Sequence, residues 1–120
     1  MNYQVFHGTP NPDIKFSFEN NKVAYFTDNR EIAERFAEAK DSGGLLKGEK
    51  ATIIHAEITI YDPFFLNEDD WERLADSTVI DKRVIMADGY DGVICENDYG
   101  ETYYVIFDES QIKIINKETK

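Results

Sequence analysis

Apolar and polar residues along this chain fall into short blocks whose period changes from two to 3.6 and back. "YQVF" near the start reads as a first strand. "IKFSF" alternates, with Ile14, Phe16 and Phe18 on one face, and "KVAYF" is a third short extended run. The period then lengthens. In "TDNREIAERFAEAK" the residues Ile32, Ala33, Phe36 and Ala37 form an apolar stripe at helical spacing, and Asp28 with Glu31 makes a capping box that predicts the helix start. "KDSGGLLKGEK" breaks the pattern and reads as a mobile loop whose Leu45-Leu46 pair packs when the loop closes.

Strand periodicity returns in "ATIIHAEITIYDP", with Ile54, Ala56, Ile58 and Ile60 inward and Pro63 as the stop. "LNEDDWERLA" predicts a capped helix from Asn67 with Trp71 packed beneath it, and "VIDKRVIMAD" a short helix closing near Gly89. The remainder is β: "DGVICE", a turn at "NDYGE", "TYYVIFD" and "QIKII". Strands at both ends with helices between them predict an α+β domain whose sheet joins the two ends of the chain.

Composition narrows the function classes. The 120 residues, 42% of them hydrophobic, suffice for one domain with a continuous core, expected to span residues 1–120. Thirteen Lys and Arg against 24 Asp and Glu leave a net charge of −11. That balance makes direct binding to nucleic acid or to an anionic membrane unfavourable and a basic protein the natural partner. The one cysteine, Cys95, lies in an apolar run and reads as a small core residue. Two histidines and a single thiol predict no metal site. The start "MNYQVFHG" lacks a basic-then-apolar leader, which places the expectation in the cytoplasm of a bacterial host cell.

The candidate chemistry begins at "VFHGTPNP". By composition alone its end is turn material, since Gly supplies φ > 0 and Pro fixes φ. Two further segments, "VAYFTDNREIAERFA" and "YDGVICENDYGETYYVIFDESQIKI", follow it in order. Together the three resemble the ADP-ribosyltransferases of the poly(ADP-ribose) polymerase and diphtheria-toxin-like branch, the small phage or mobile-element versions included. The resemblance implies a small ADP-ribosyltransferase-like fold of two packed antiparallel or mixed β-sheets with a few short helices. It also implies NAD as substrate and no metal.

Carried over residue by residue, the resemblance implies that His7 bonds the adenine-side ribose. Gly8 offers its backbone to the nicotinamide carboxamide, its missing Cβ letting the ligand approach, and Thr9 adds a hydroxyl to a ribose. Tyr25 and Phe36 clamp the nicotinamide ring, although both residues also read as core aromatics. Ala33 stands where the polymerases have a serine that bonds the carboxamide.

Cleavage of the bond between nicotinamide and ribose develops positive charge on the sugar, which a carboxylate stabilises. The polymerase glutamate position falls on Tyr103, so the catalytic acid is sought nearby: Glu101 first, on the same strand face two residues earlier, then Asp98, then Glu96. As hairpin-tip residues these three also read as plain solvated charges. The resemblance to the mobile-element versions implies that Gln111 is a strand anchor; Asp91-Gly92 reads as turn and strand-entry chemistry, and His55 as a surface or pair-forming histidine near Glu57.

Two readings of the whole remain. One is a mono-ADP-ribosyltransferase acting from NAD on a macromolecular, basic protein target, a phage or mobile-element effector of the anti-CRISPR or toxin kind that disables a host defence protein. The other is an acidic non-enzymatic inhibitor or decoy on a transferase-like scaffold that binds a basic protein surface. An RNA 2′-phosphotransferase relative is disfavoured because basic RNA-reading features are missing.

Overall fold

The computed structural model describes residues 2–11, 15–16, 18, 23–38, 43–45, 47–67, 82–96 and 101–119. In chain order these form β1 (Asn2–Thr9), β2 (Ala24–Thr27), α1 (Arg30–Ala37), β3 (Thr52–Thr59), β4 (Pro63–Asn67), α2 (Lys82–Ala87), β5 (Gly92–Glu96), β6 (Thr102–Ile106), a 3₁₀ turn (Glu109–Gln111) and β7 (Ile112–Thr119). The α+β class is as expected. Of the expected two-sheet layout, the described strands show one mixed sheet in the order β4-β5-β6-β2-β1-β3-β7. Only β4 and β5 run parallel to each other.

The sheet is nonetheless unevenly joined. On one side, β1 pairs with β3 along its whole length, from Asn2↔Thr59 to Thr9↔Thr52. On the other, β1 meets β2 in a single register pair, Phe6↔Thr27. The sheet is thus two well-laddered halves, β4-β5-β6-β2 and β1-β3-β7, held at one seam.

Apolar alternation explains which face each half buries. Val5, Phe26, Ala56, Ile58 and Ile106 form the core on one face, with Phe16 and Phe18 packed against it. Lys15, Phe16 and Phe18 lie outside any strand, contrary to the "IKFSF" expectation; the two rings supply apolar cover without ladder bonds. The opposite face carries two clusters. One gathers Leu66, Val93, Cys95, Val105 and Phe107, with Ile85 of α2 against them. The other, beneath α1, gathers Ala33, Ala37, Ala51 and Ile53.

Helix α1 begins one residue later than the capping box predicts. Asn29, in extended geometry, is the N-cap, its side chain accepting from Glu31 N–H at 2.9 Å and Ile32 N–H at 3.3 Å. Asp28 instead acts electrostatically on the Tyr104 phenol, whose pKa is pushed up to about 12 by burial first and then by the Asp28 charge. Pro63 starts β4 rather than ending the chain's extended run. Its lack of a donor is tolerated because β4 is an edge strand and Pro63 its first residue. Asn67 is the last residue of β4, and the helix expected beyond it, with Trp71, lies outside the described residues. The short helix before Gly89 is present, and Gly89 has the positive φ (96°) of a glycine after a helix end.

Gln111 is an anchor, as the resemblance implied. Its amide Nε2 donates to Asp91 O (2.7 Å) and Thr59 O (3.1 Å), and its Oε1 accepts from the N–H groups of Asp108 (3.0 Å) and Phe107 (3.3 Å). Asp91 does turn work, its carboxylate accepting from the N–H groups of Tyr61 and Asp62. His55 is a pair-forming histidine, but with Glu118 at 3.0 Å and beside Arg30; Glu57 bonds Asn2 instead.

Candidate active site

Past Phe6↔Thr27 the β1–β2 ladder stops, and the residues there explain why. Continued in the same antiparallel register, it would set Gly8 opposite Tyr25. Instead the Tyr25 carbonyl accepts from His7 Nδ1 at 2.6 Å. A carbonyl can only accept, so Nδ1 carries the proton, and Nε2 of the neutral ring is an acceptor. Burial pushes the His7 pKa below its usual value, with the Tyr25 bond acting in the opposite, weaker sense, so the ring is neutral at pH 7. Phe16 and Phe26 hold its plane, with ring centroids 5.0 and 5.6 Å away. The side chain has replaced a ladder bond, and the edge of β1 at Gly8 faces the seam while its other edge stays paired with Ile53.

Gly8 departs from its expected role in one respect. A Cβ there would sit 1.7 Å from the Ala33 carbonyl oxygen and 2.9 Å from the Ala37 backbone nitrogen. The space that glycine leaves is therefore filled by the backbone of α1 and does not admit a ligand. What this position could offer a ligand is therefore its backbone rather than open space at Cα. Ala33 and Ala37 are wholly buried at this crossing, where small side chains allow so close an approach. Thr9 is also buried, its hydroxyl accepting from Asn11 N–H at 3.1 Å in a local turn.

Strand register sorts the remaining candidates by face, because antiparallel partners share a face and residues two apart do likewise. Phe6 faces Thr27, Thr27 faces Tyr103, and Tyr25 faces Val105. Phe6, Gly8, Tyr25, Thr27, Glu101 and Tyr103 consequently lie on the α1 side of the sheet. Glu96 is paired with Thr102 and falls on the other side, with Tyr104. Asp98 lies outside the described residues.

Tyr25 is 44% exposed and Phe36 is 52% exposed, so neither is a core aromatic. Partial burial nevertheless pushes the Tyr25 phenol upward. On β6, Tyr103 donates its phenol O–H to Glu101 Oε2 at 3.0 Å. The Tyr103 pKa is pushed up to about 12, by burial first and then by the Glu101 bond and charge, while Arg35 of α1 pulls it down. Thr27 ties the corner together, its hydroxyl donating to Thr102 O at 3.0 Å and accepting from Asn29 N–H at 3.1 Å.

The structure thus divides the candidates: the neutral histidine, with its acceptor nitrogen, lies on the Val5–Phe26 face with only its bond to Tyr25 O crossing the seam, whereas Gly8, the half-exposed Tyr25 and the held Glu101 carboxylate lie on the α1 face, and Phe36 is half-exposed on α1 itself. Against known families, residues 2–120 match the sequence profile described as ADP-ribosyltransferase in polyvalent proteins. The chain belongs to that ADP-ribosyltransferase family. No protein of curated function matches it at a significant level. Members of this superfamily are transferases that use NAD, and ADP-ribosylation is the general chemistry that membership brings. Among the described residues, no group of three or more His, Cys, Asp or Glu could hold a metal ion, and no helix is long and apolar enough to cross a membrane.

Sequence reasoning missed three features. The His7 tautomer depends on a carbonyl 18 residues away. The Gly8 contact depends on a helix that folds back over β1. The Tyr103 bond to Glu101 did have a signal, the i, i+2 spacing that puts both on one strand face.

Proposed function

We propose that this domain is a mono-ADP-ribosyltransferase that transfers ADP-ribose from NAD to a basic protein, with NAD lying along the seam between β1 and β2. The observation that carries this reading is the interrupted ladder at Gly8 and Tyr25, with His7 committed to Tyr25 O and presenting Nε2 as an acceptor. An acceptor nitrogen suits a ribose hydroxyl, which can donate. The Gly8 edge suits a carboxamide, which both donates and accepts. Tyr25 and Phe36 offer apolar ring surface for the flat nicotinamide.

Reaction requires the ribose C1′ to nicotinamide nitrogen bond to break, the electron pair leaving with the nicotinamide and neutralising its ring charge. The cationic ribose that develops is stabilised by the Glu101 carboxylate. A nucleophilic side chain of the target then bonds C1′ and releases a proton to solvent. The net charge of −11 favours a basic target by electrostatic steering. A phage or mobile-element effector acting on a host defence protein is the setting that fits a family described from polyvalent proteins.

Purified protein incubated with labelled NAD and a bacterial lysate tests this: a labelled protein band is expected, lost in His7→Ala. Capture of a basic protein that survives His7→Ala, falls with salt and leaves no label would replace the enzyme with the decoy reading. NAD affinity should also hold at neutral pH and fall in acid, because protonation removes the Nε2 acceptor. Stability shares that sign. The unfolded chain binds a proton from about pH 6.5 downward and the native ring resists it, so stability falls as pH drops below that value through the lowered native pKa.

A further inference from the structure

We propose that Tyr103 is a positioning residue whose phenol O–H holds the Glu101 carboxylate toward the ribose carbon at which NAD is cleaved. The proposal rests on the transferase reading above and adds to it a residue that acts through the acid. Glu101 sits just before the first residue of β6, at the end of the ladder, where backbone pairing alone does not hold a long side chain. A glutamate with free rotamers would lose entropy each time it met the developing cation, and preorganisation removes that cost before reaction. Tyr103 supplies it by donating to Oε2 at 3.0 Å. A carboxylate accepts several hydrogen bonds at once, so one phenol bond can fix its direction without consuming the charge.

The geometry around the pair agrees. Tyr103 is directly opposite Thr27, and Thr27 is two residues from Tyr25 on the same face. Tyr103 and Glu101 are both half-buried, enough to limit motion while leaving access. Arg35 acts electrostatically on Tyr103 from α1, so the pair faces the helix that carries Phe36. Tyr103 is paired with Cys95 of β5 and bonded to Glu101, and with its pKa pushed up to about 12 it remains a donor throughout the neutral range.

Nicotinamide release from NAD by the full chain tests the proposal without a known target. Tyr103→Phe keeps the ring and its packing and removes only the donor. It should lower kcat about tenfold, with KM for NAD little changed, as expected for loss of orientation rather than of binding. Glu101→Gln should lower kcat on the order of a hundredfold. The double variant should be no worse than Glu101→Gln alone, since the phenol acts only through the acid. In Glu101→Gln the Tyr103 phenol should also titrate at lower pH, read by phenolate absorbance against Tyr103→Phe.

Full kcat in Tyr103→Phe overturns the positioning role while leaving the transferase reading intact. So does a double variant that loses the product of the two single effects. A folded wild-type protein that releases no nicotinamide and labels nothing overturns the transferase reading, and the positioning role falls with it.

Discussion

The two edges of β1 are used in opposite ways. Toward β3 every residue from Asn2 to Thr9 has a register partner, and β3 is laddered in turn to β7. Toward β2 there is one pair, after which a side chain takes over from the backbone. A completed ladder uses up the donors and acceptors of both strands, leaving nothing for a ligand to recognise except side chains. An interrupted ladder leaves main-chain groups on offer, and the paired edge keeps them in place. On the function proposed above, the laddered side is the platform and the seam the recognition edge.

The hardest blow to this contrast is Gly8→Ala. A methyl group at that position meets the Ala33 carbonyl at 1.7 Å, so α1 must move off the platform. We expect a loss of about 3 kcal/mol, at the upper end for overpacking, read as a large fall in the thermal midpoint. A midpoint unchanged from wild type would mean that α1 does not press on the strand edge.

Next in size is Glu101→Gln, which should leave the fold intact and lower transfer on the order of a hundredfold, about 2.7 kcal/mol. Glu96→Gln, on the other face, should change transfer little. Equal losses in the two would show that the face assignment does not govern the chemistry.

Tyr25→Ala should weaken NAD binding about tenfold by removal of a stacking ring, whereas Tyr25→Phe should bind nearly as wild type. Calorimetric titration with circular dichroism beside it separates lost stacking from lost fold. Smallest is the cap. Asn29→Ala should cost about 1 kcal/mol in denaturant unfolding, more than Asp28→Ala, because Asn29 and not Asp28 caps the helix.

What could be read in the sequence was local or strictly periodic. "ATIIHAEIT" alternates well enough that one buried face of β3, with Ile54, Ala56 and Ile58, followed from period alone, with Ile60 just beyond it, whereas Ile53, buried on the other face beneath α1, did not. The helix over residues 30–37 was equally plain, although its cap slipped by one because Asp28 and Asn29 are both good cap residues and it is Asn29 whose side chain meets the first N–H groups. Phe16 and Phe18 mislead for the opposite reason: an apolar residue at every second position looks like a strand whether or not a partner strand exists.

At the site, "FHGT" was visible as residues but not as geometry. His7 and Gly8 take their roles from Tyr25 and Ala33, reached only once α1 and β2 have closed over β1. Phe36 shows the same limit. Its place in the apolar stripe suggested burial, yet Ala33 and Ala37 do the packing and the ring is left half in solvent.

Gln111 bears on how the chain reaches this state. One amide joins a carbonyl 52 residues back and another 20 residues back, and it also receives two N–H groups from the corner just before it. None of the long-range bonds can form until β3, the start of β5 and the approach to β7 have converged, so their free energy arrives late and offers nothing to an early nucleus. Gln111→Leu should therefore speed unfolding and leave the folding rate almost unaltered in stopped-flow measurements, the behaviour of a latch that closes after the slow step. A folding arm slowed as much as the unfolding arm is quickened would put the latch inside the transition state instead.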